Sequence, residues 1–117
     1  MIKGVHTMLY SSDAKGLRNF LSDKLGFDGR DIGDGWLIFD LPEADMGVHP
    51  ADELSKDGEP SGTHNISFYC DDIHQTVEEM KSNGVEFKDE IKDQGYGLVT
   101  YFLVPGGFHL QLYQPKY

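Results

Sequence analysis

Several residue types that decide a protein's class are scarce in this chain. The single cysteine, Cys70, excludes a disulfide within the chain. Only ten lysines and arginines stand against twenty aspartates and glutamates, which gives a formal charge of −10. This balance argues against nucleic-acid binding and against docking on anionic membranes, since both depend on basic residues. Apolar runs such as residues 36–39 and 101–104 are too short to span a bilayer.

The start of the chain does not show the positively charged segment followed by an apolar stretch that is typical of a signal peptide. Together with the single cysteine, this leads us to expect a cytoplasmic protein. The 117 residues have room for one domain, and a chain of this size can bury roughly 60–70% of its unfolded surface. We therefore expect a single domain over residues 1–117 with one hydrophobic core.

What the chain does contain is the same pattern twice. Each half begins with an alternating strand, continues with a capping aspartate and an amphipathic helix that ends near a glycine, and closes with three short strands. The first half has its cap at Ser12 or Asp13, its helix stop at Gly26, and its strands at residues 5–10, 27–32, 36–41 and 45–49. The second half has its cap at Asp71 and Asp72, its stop at Asn83-Gly84, and its strands at residues 65–70, 85–91, 98–104 and 108–113.

The spacing of the two halves also agrees. Asp13 follows His6 by seven residues, as Asp72 follows Asn65. We therefore predict an α+β fold of two βαβββ modules, residues 1–50 and 63–117, joined by a polar linker at residues 51–62. A module of about fifty residues is too small to bury a sheet face alone. The two modules should complete one core, within the chain or with a second copy.

With this organisation the chain resembles the vicinal oxygen chelate superfamily, which includes glyoxalases, extradiol dioxygenases, fosfomycin-resistance enzymes and bleomycin-resistance proteins. The resemblance covers nearly the whole chain. It rests on residues 6–13 with 24–27, on residues 66–73 with 83–85, and on the closing Val-Pro-Gly-Gly-Phe-His-Leu-Gln-Leu of residues 104–112. That last stretch looks like the family's Asp-Pro-x-Gly-Asn-x-x-Glu-Leu signature. The resemblance implies a curled, cup-like mixed sheet with helices on its outer face, and this fold hosts unrelated chemistries.

The resemblance also implies where a divalent metal would bind, because the family takes its ligands from the first and last strand of each module. The corresponding positions here are His6, Gly47, Asn65 and Gln111. Only His6 is a strong ligand, since Gly47 has no side chain and the two amides are weak donors. Gln111 stands where most members carry a glutamate. An intact copy of the family's site is therefore absent from the sequence.

Further histidines keep the prediction of a metal site open. His49 and His109 share the predicted cup-facing side of their strands with Gln111. His64 precedes Asn65, so that a one-residue register change or a bulge would turn it inward. A ligand set of His6, Gln111 and either His49 or His64 follows as the metal-binding hypothesis.

The same alternation predicts a pocket on the cup face. Its tyrosine rings either fill space between the curled sheets or form an apolar pocket with hydroxyl groups for a small molecule, and the sequence supports both equally. Cys70 lies on the opposite, buried side of its strand. The predicted pocket residues are Met8, Tyr10, Asn65, Ser67, Tyr69, His109 and Tyr113.

Two functions from different classes follow from the resemblance. In the first, a metal-dependent lyase, isomerase or dioxygenase chelates two adjacent oxygens of a neutral or cationic substrate, and a tyrosine or His109 moves a proton. In the second, the cup sequesters a cationic aromatic, drug-like molecule without a metal, as bleomycin-resistance proteins do. The surplus of histidines favours the first narrowly. The resemblance further implies a homodimer.

Overall fold

An aspartate caps each of the two helices, where the sequence predicts them to begin. Helix α1 spans Ala14–Asp23, and the carboxylate of Asp13 accepts a hydrogen bond of 3.0 Å from a backbone N–H of the first turn. Helix α2 spans Ile73–Ser82, and Asp72 accepts one of 3.1 Å in the same way. Each cap satisfies a donor that the first helical turn leaves without an intrahelical partner. The structure, a computed structural model, describes residues 7–9, 11–34, 37–41, 43–44, 54, 56, 58–62 and 64–117.

The two helices end close to one another. A glycine in the left-handed region follows each of them, Gly26 with φ 74° and Gly84 with φ 86°, so both predicted stops are confirmed. The Lys24 ammonium donates to the Gly84 carbonyl at 3.3 Å, and the Asn83 amide donates to the Lys24 carbonyl at 3.5 Å. Neither helix of the described chain is long and apolar enough to cross a membrane.

The strands form two sheets. Strand β1 (Asp28–Asp31) pairs antiparallel with β2 (Leu37–Asp40). The larger sheet has the order β3-β6-β5-β4, in which only the pair β3 and β6 is parallel. Its strands are β3 (Ser67–Tyr69), β4 (Lys92–Asp93), β5 (Gly97–Val104) and β6 (Phe108–Pro115). Residues from 67 onward therefore run β-α-β-β-β and form the mixed sheet of an α+β fold, as predicted.

Three predicted strands differ from the structure or fall outside it. The described part of the opening strand, residues 7–9, is not assigned to a strand, and the predicted strand at residues 45–49 lies outside the described residues. Of residues 85–91, only Phe87 forms a bridge, with Phe102, and β4 follows at residues 92–93 instead. The hydroxyl of Thr100 donates to the Asp89 carbonyl at 3.0 Å. The Thr100 side chain thus satisfies the Asp89 carbonyl, which a backbone N–H would satisfy if the strand pairing continued to this residue.

The hydrophobic core contains residues from both halves of the chain. Phe102 of β5 is fully buried at its centre, with ring centroids 6.3 Å from Phe20 of α1 and 6.5 Å from Phe68 of β3. The first-half helix therefore packs against the second-half sheet. The buried residues of this core are Leu17, Phe20, Leu21, Ile73, Val77, Met80, Val85, Phe102, Val104, Leu110 and Leu112.

A second contact ties the two halves together at the turn after β5. The Ser11 hydroxyl donates to the Pro105 carbonyl at 2.8 Å. Gly106 follows with φ 108°, and a Cβ at this position would collide with the Ser11 hydroxyl oxygen. The turn therefore requires glycine both for its backbone conformation and for the space that Ser11 occupies.

We expect Phe102→Ala to lower the free energy of unfolding by about 3–5 kcal/mol, because it leaves a cavity where both helices meet the sheet. Chemical denaturation followed by circular dichroism measures this change. Leu103→Ala is the matched control, since Leu103 is the next residue on the same strand and is 37% exposed on the opposite face. Equal losses for the two variants would contradict the assignment of the core to one face of β5.

Candidate functional site

One face of the four-stranded sheet is covered by helices, and on the other face several of the described side chains are exposed. Side chains of adjacent residues alternate between the two faces of a strand. Phe68, Phe102 and Leu112 belong to the covered face and lie in or against the core. Residues that are cross-strand partners lie on the same face of a sheet. The residues of the second face are therefore neighbours through the pairs 67 with 111, 69 with 113, 101 with 111, and 103 with 109. We call this the site face. Its residues are Ser67, Tyr69, Val99, Tyr101, Leu103, His109, Gln111 and Tyr113, of which Val99, the partner of Tyr113, is only 3% exposed.

Gln111 lies at the centre of a chain of hydrogen bonds across the site face. The Ser67 hydroxyl of β3 donates to its Oε1 atom. Its Nε2 atom donates to the Tyr101 hydroxyl of β5 at 2.9 Å. Because Ser67 and Tyr101 are the cross-strand partners of Gln111 on either side, the register of three strands aligns all three groups. We call this arrangement the polar chain, and it holds the Gln111 amide at both ends.

Tyrosine rings extend the site face toward one end of the sheet. The Tyr113 ring lies over Gly97, where a Cβ would collide with its Cε2 atom and would also approach the Gln114 carbonyl oxygen at 2.6 Å. The Tyr113 ring centroid is 6.0 Å from that of Tyr96 and 6.5 Å from that of Tyr117. The Tyr113 hydroxyl donates to the Tyr117 hydroxyl at 2.8 Å. Gly97 therefore provides the space that lets this ring lie flat along the strand pair.

The structure brings together only some of the predicted pocket residues. Ser67, Tyr69, His109 and Tyr113 lie on the site face, with His109 exposed near its edge. Asn65 is exposed in the segment before β3, as is His64, so neither joins the paired part of the sheet. Met8 is exposed in a segment outside the described strands. Of the other predicted site residues, Tyr10, His6, Gly47 and His49 lie outside the described residues.

Tyr101 and Leu103 are site-face residues that sequence reasoning missed. Both alternate with Phe102 and Val104, which are buried in the core. The same period of two that selected Tyr69 and Tyr113 would have selected them on the strand predicted at residues 98–104. Tyr96 and Tyr117 carry no such signal, because they lie just outside β5 and β6.

The described donors do not fit a divalent metal by themselves. No three His, Cys, Asp or Glu side chains within the described residues lie close enough to hold an ion. Of the candidate ligands that the structure describes, Asn65 and Gln111 are neutral amides, and His64 is an exposed imidazole outside the paired part of the sheet. The Oε1 atom of Gln111 also accepts a hydrogen bond from Ser67, which uses one of its two lone pairs. A metal site here therefore depends on His6 and on His49 or His64.

Cys70 belongs to the packing of the sheet. Its backbone N–H donates to the Tyr113 carbonyl at 2.9 Å, and its Sγ atom lies 3.7 Å from the same oxygen. Burial raises the pKa of the Cys70 thiol, and the neighbouring carboxylates of Asp71 and Asp72 raise it further, against a lowering by Thr76. The thiol is therefore protonated at neutral pH and is a poor nucleophile. Cys70 packs against the core, as predicted, but it is partly and not fully buried.

Comparisons with known proteins identify the family of this arrangement. A relative in Bacillus subtilis (strain 168), the uncharacterized protein YetH, is 31% identical over 108 residues, which cover 87% of this chain and 90% of that protein. The antibiotic-binding protein TnmS3 from Streptomyces sp. CB03234 has a similar structure, with a TM-score of 0.65 at 23% identity over 99% of this chain and 100% of that one.

Lactoylglutathione lyase from Agrobacterium tumefaciens also has a similar fold, with a TM-score of 0.63 at 16% identity over 92% of this chain and 90% of that one. At these identities the solved structures establish the fold alone. The sequence profile of one superfamily matches residues 3–112, nearly the whole chain. The chain therefore belongs to the Glyoxalase/Bleomycin resistance protein/Dioxygenase superfamily.

Proposed function

We propose that the protein binds a planar, neutral or cationic small molecule on the site face and that the polar chain orients it. The polar chain is the observation that carries this proposal. Its bonds run in one direction, since Ser67 donates to Gln111 and Gln111 donates to Tyr101. The Tyr101 hydroxyl uses a lone pair in this bond, which leaves its own proton for an acceptor oxygen of the ligand. Accepting a bond also makes that hydroxyl a stronger donor.

The charge of the protein supports the choice of ligand. The site-face residues carry no lysine, arginine or carboxylate, whereas the chain as a whole has a formal charge of −10. The surrounding negative potential attracts cations and repels anions, and tyrosine faces attract cations further. An anionic co-substrate such as glutathione lacks basic partners among these residues. A neutral or cationic aromatic compound suits the site face best.

The solved structures support a binding role without deciding it. TnmS3, whose fold this chain shares, is described as an antibiotic-binding protein. The same fold also occurs in a lactoylglutathione lyase, so fold alone does not select between binding and catalysis. We favour binding over catalysis because two side chains of the site face already hold the Gln111 amide.

A metal-dependent lyase, isomerase or dioxygenase is the second candidate. It is supported by the position of Gln111 at the centre of the site face, where the family resemblance puts a metal ligand. A metal bound there would need imidazoles from His6 and His49 or His64, and it would share the Gln111 Oε1 atom with the hydrogen bond from Ser67. When bound, a divalent ion polarises adjacent oxygens of a substrate. The homodimer and the cytoplasmic location stay predictions.

The binding proposal is tested with two fluorescent tricyclic compounds, neutral acridone, which has a carbonyl oxygen, and cationic 9-aminoacridine, which has none. We expect Tyr101→Phe to weaken acridone binding about 2- to 10-fold, the value of one neutral hydrogen bond. The dissociation constant of 9-aminoacridine should stay unchanged, because the ring of residue 101 is kept. Fluorescence titration measures both.

An equal effect of Tyr101→Phe on the two compounds would show that the hydroxyl does not orient the ligand. Saturable binding of neither compound to the wild-type protein would overturn the binding proposal itself. Leu103→Ala is a control for the apolar part of the site face and should weaken both compounds alike.

Metal content distinguishes the two candidate functions. The protein is incubated with excess Ni, Zn, Fe or Mn ions, dialysed, and measured by mass spectrometry of the elements. The binding proposal expects substoichiometric metal and unchanged 9-aminoacridine affinity after treatment with a chelator, because the polar chain already holds Gln111. One retained ion per chain, lost in His6→Ala, would instead establish the metal-dependent candidate.

A further inference from the structure

We infer that Tyr96, Tyr113 and Tyr117 form an aromatic wall at one end of the site face, and that this wall binds the far ring of an extended planar cation. We call these three residues the tyrosine wall. The inference rests on the proposed function, because it deepens the recognition of a ligand on the same face. It adds Tyr96 and Tyr117 as residues that determine which ligands bind most tightly.

The tyrosine wall is continuous with the site face. Tyr113 belongs to both, as the cross-strand partner of Tyr69 in the parallel pair of β3 and β6. From Tyr113 the aromatic surface continues to the rings of Tyr96 and Tyr117, with centroids 6.0 Å and 6.5 Å away. A planar ligand that lies along β6 from the polar chain toward the end of the sheet therefore meets a second group of rings.

The rings of this wall are open to a ligand. Tyr96 is 56% exposed and Tyr117 is 83% exposed, whereas Tyr113 is partly buried between them. The rings are tilted by 57° and 52° relative to Tyr113, so they do not stack face to face with it. The faces of Tyr96 and Tyr117 thus remain available for stacking and for cation–π contact.

An ion pair holds Tyr117 at the wall. The Lys116 ammonium lies 2.6 Å from the Asp93 carboxylate, and the Lys116 backbone N–H donates to the Tyr96 carbonyl at 3.0 Å. Asp93 also accepts a bond from the Gly95 backbone N–H at 2.9 Å, which shapes the turn that carries Tyr96. Asp93 and Lys116 together therefore hold the segments that carry Tyr96 and Tyr117 next to each other.

The same contacts keep Asp93 ionised. The hydrogen bond from Lys116, followed by that from Gly95, lowers the pKa of the Asp93 carboxyl below its usual value. A depressed pKa in the folded state means that the pair is fully formed at neutral pH and is lost only as the pH falls into the acidic range. Both groups are exposed, so the pair contributes little to stability. Its effect is on the position of Tyr117, and Lys116 is a positioning residue.

The test compares two cations in calorimetric titrations: 9-aminoacridine, with three fused rings, and benzyltrimethylammonium, with one. We expect Tyr117→Leu to weaken 9-aminoacridine about 2- to 10-fold, as expected for the loss of one aromatic contact. Benzyltrimethylammonium should be unaffected, because one ring occupies the site face without reaching the wall. Tyr117→Phe keeps the ring and should retain most of the affinity for 9-aminoacridine.

The role of Lys116 is tested by a substitution whose two physical effects have opposite signs. Lys116→Gln makes the protein more acidic, so long-range attraction alone predicts tighter binding of both cations. Loss of the ion pair with Asp93 releases Tyr117 and predicts weaker binding of 9-aminoacridine only. Lys92→Gln removes the same charge at the residue next to Asp93 on β4 and is the matched control. Lys116→Arg should restore binding to the wild-type value.

Each outcome of these titrations supports or overturns the inference. Weaker binding of 9-aminoacridine by Tyr117→Leu and Lys116→Gln, with benzyltrimethylammonium and Lys92→Gln unaffected or tighter, supports it. Unchanged 9-aminoacridine affinity in both variants, or equal losses for the two cations, overturns the wall while the proposed function stands. Binding of neither cation to the wild-type protein overturns the inference, and it overturns the proposed function as well if acridone also fails to bind. Circular dichroism verifies that the variants are folded.

Discussion

The burial of Phe102 is the constraint on which the rest of the structure depends. Its ring meets aromatic residues of α1 and β3 and has no exposed surface. Because a strand alternates its side chains, fixing Phe102 under the helices turns Tyr101 and Leu103 to the other side. The antiparallel register then brings His109 and Gln111 opposite them. A core contact thus decides which groups a ligand can meet, although none of the core side chains touches the site face.

The Gln111 amide and the Tyr101 hydroxyl have different functions on the site face. Gln111 already has a partner at each end of its amide, so it acts as a fixed link between Ser67 and Tyr101. Such a link gives the Tyr101 hydroxyl one preferred direction in which to donate. Rigidity of this kind favours recognition, since a group that is held in place before binding loses little conformational entropy when the ligand arrives. The same bonds limit how a metal ion could meet the Gln111 oxygen, because Ser67 already uses one of its two lone pairs.

Much of this fold could be predicted from local sequence patterns, whereas the contacts between residues distant in the sequence could not. The helix caps at Asp13 and Asp72 could be predicted because a cap involves residues a few positions apart. Alternation predicted that Ser67 and Tyr69 share a face. The partner of the Gln111 amide could not be predicted, because it depends on the register between β5 and β6. The ion pair joins Asp93 of β4 to Lys116, which follows β6, and no spacing in the sequence indicates it.

The hydrogen bond from Ser11 to Pro105 links the start of the chain to the tight turn between the two longest strands. The space beside Gly106 is occupied by the Ser11 side chain, so the two positions share one small volume. The two halves of the chain therefore cannot diverge independently at this point. A larger side chain in the turn would push away the segment that precedes α1, which carries Met8. A substitution in this turn can therefore displace a segment that is almost a hundred residues away in the sequence.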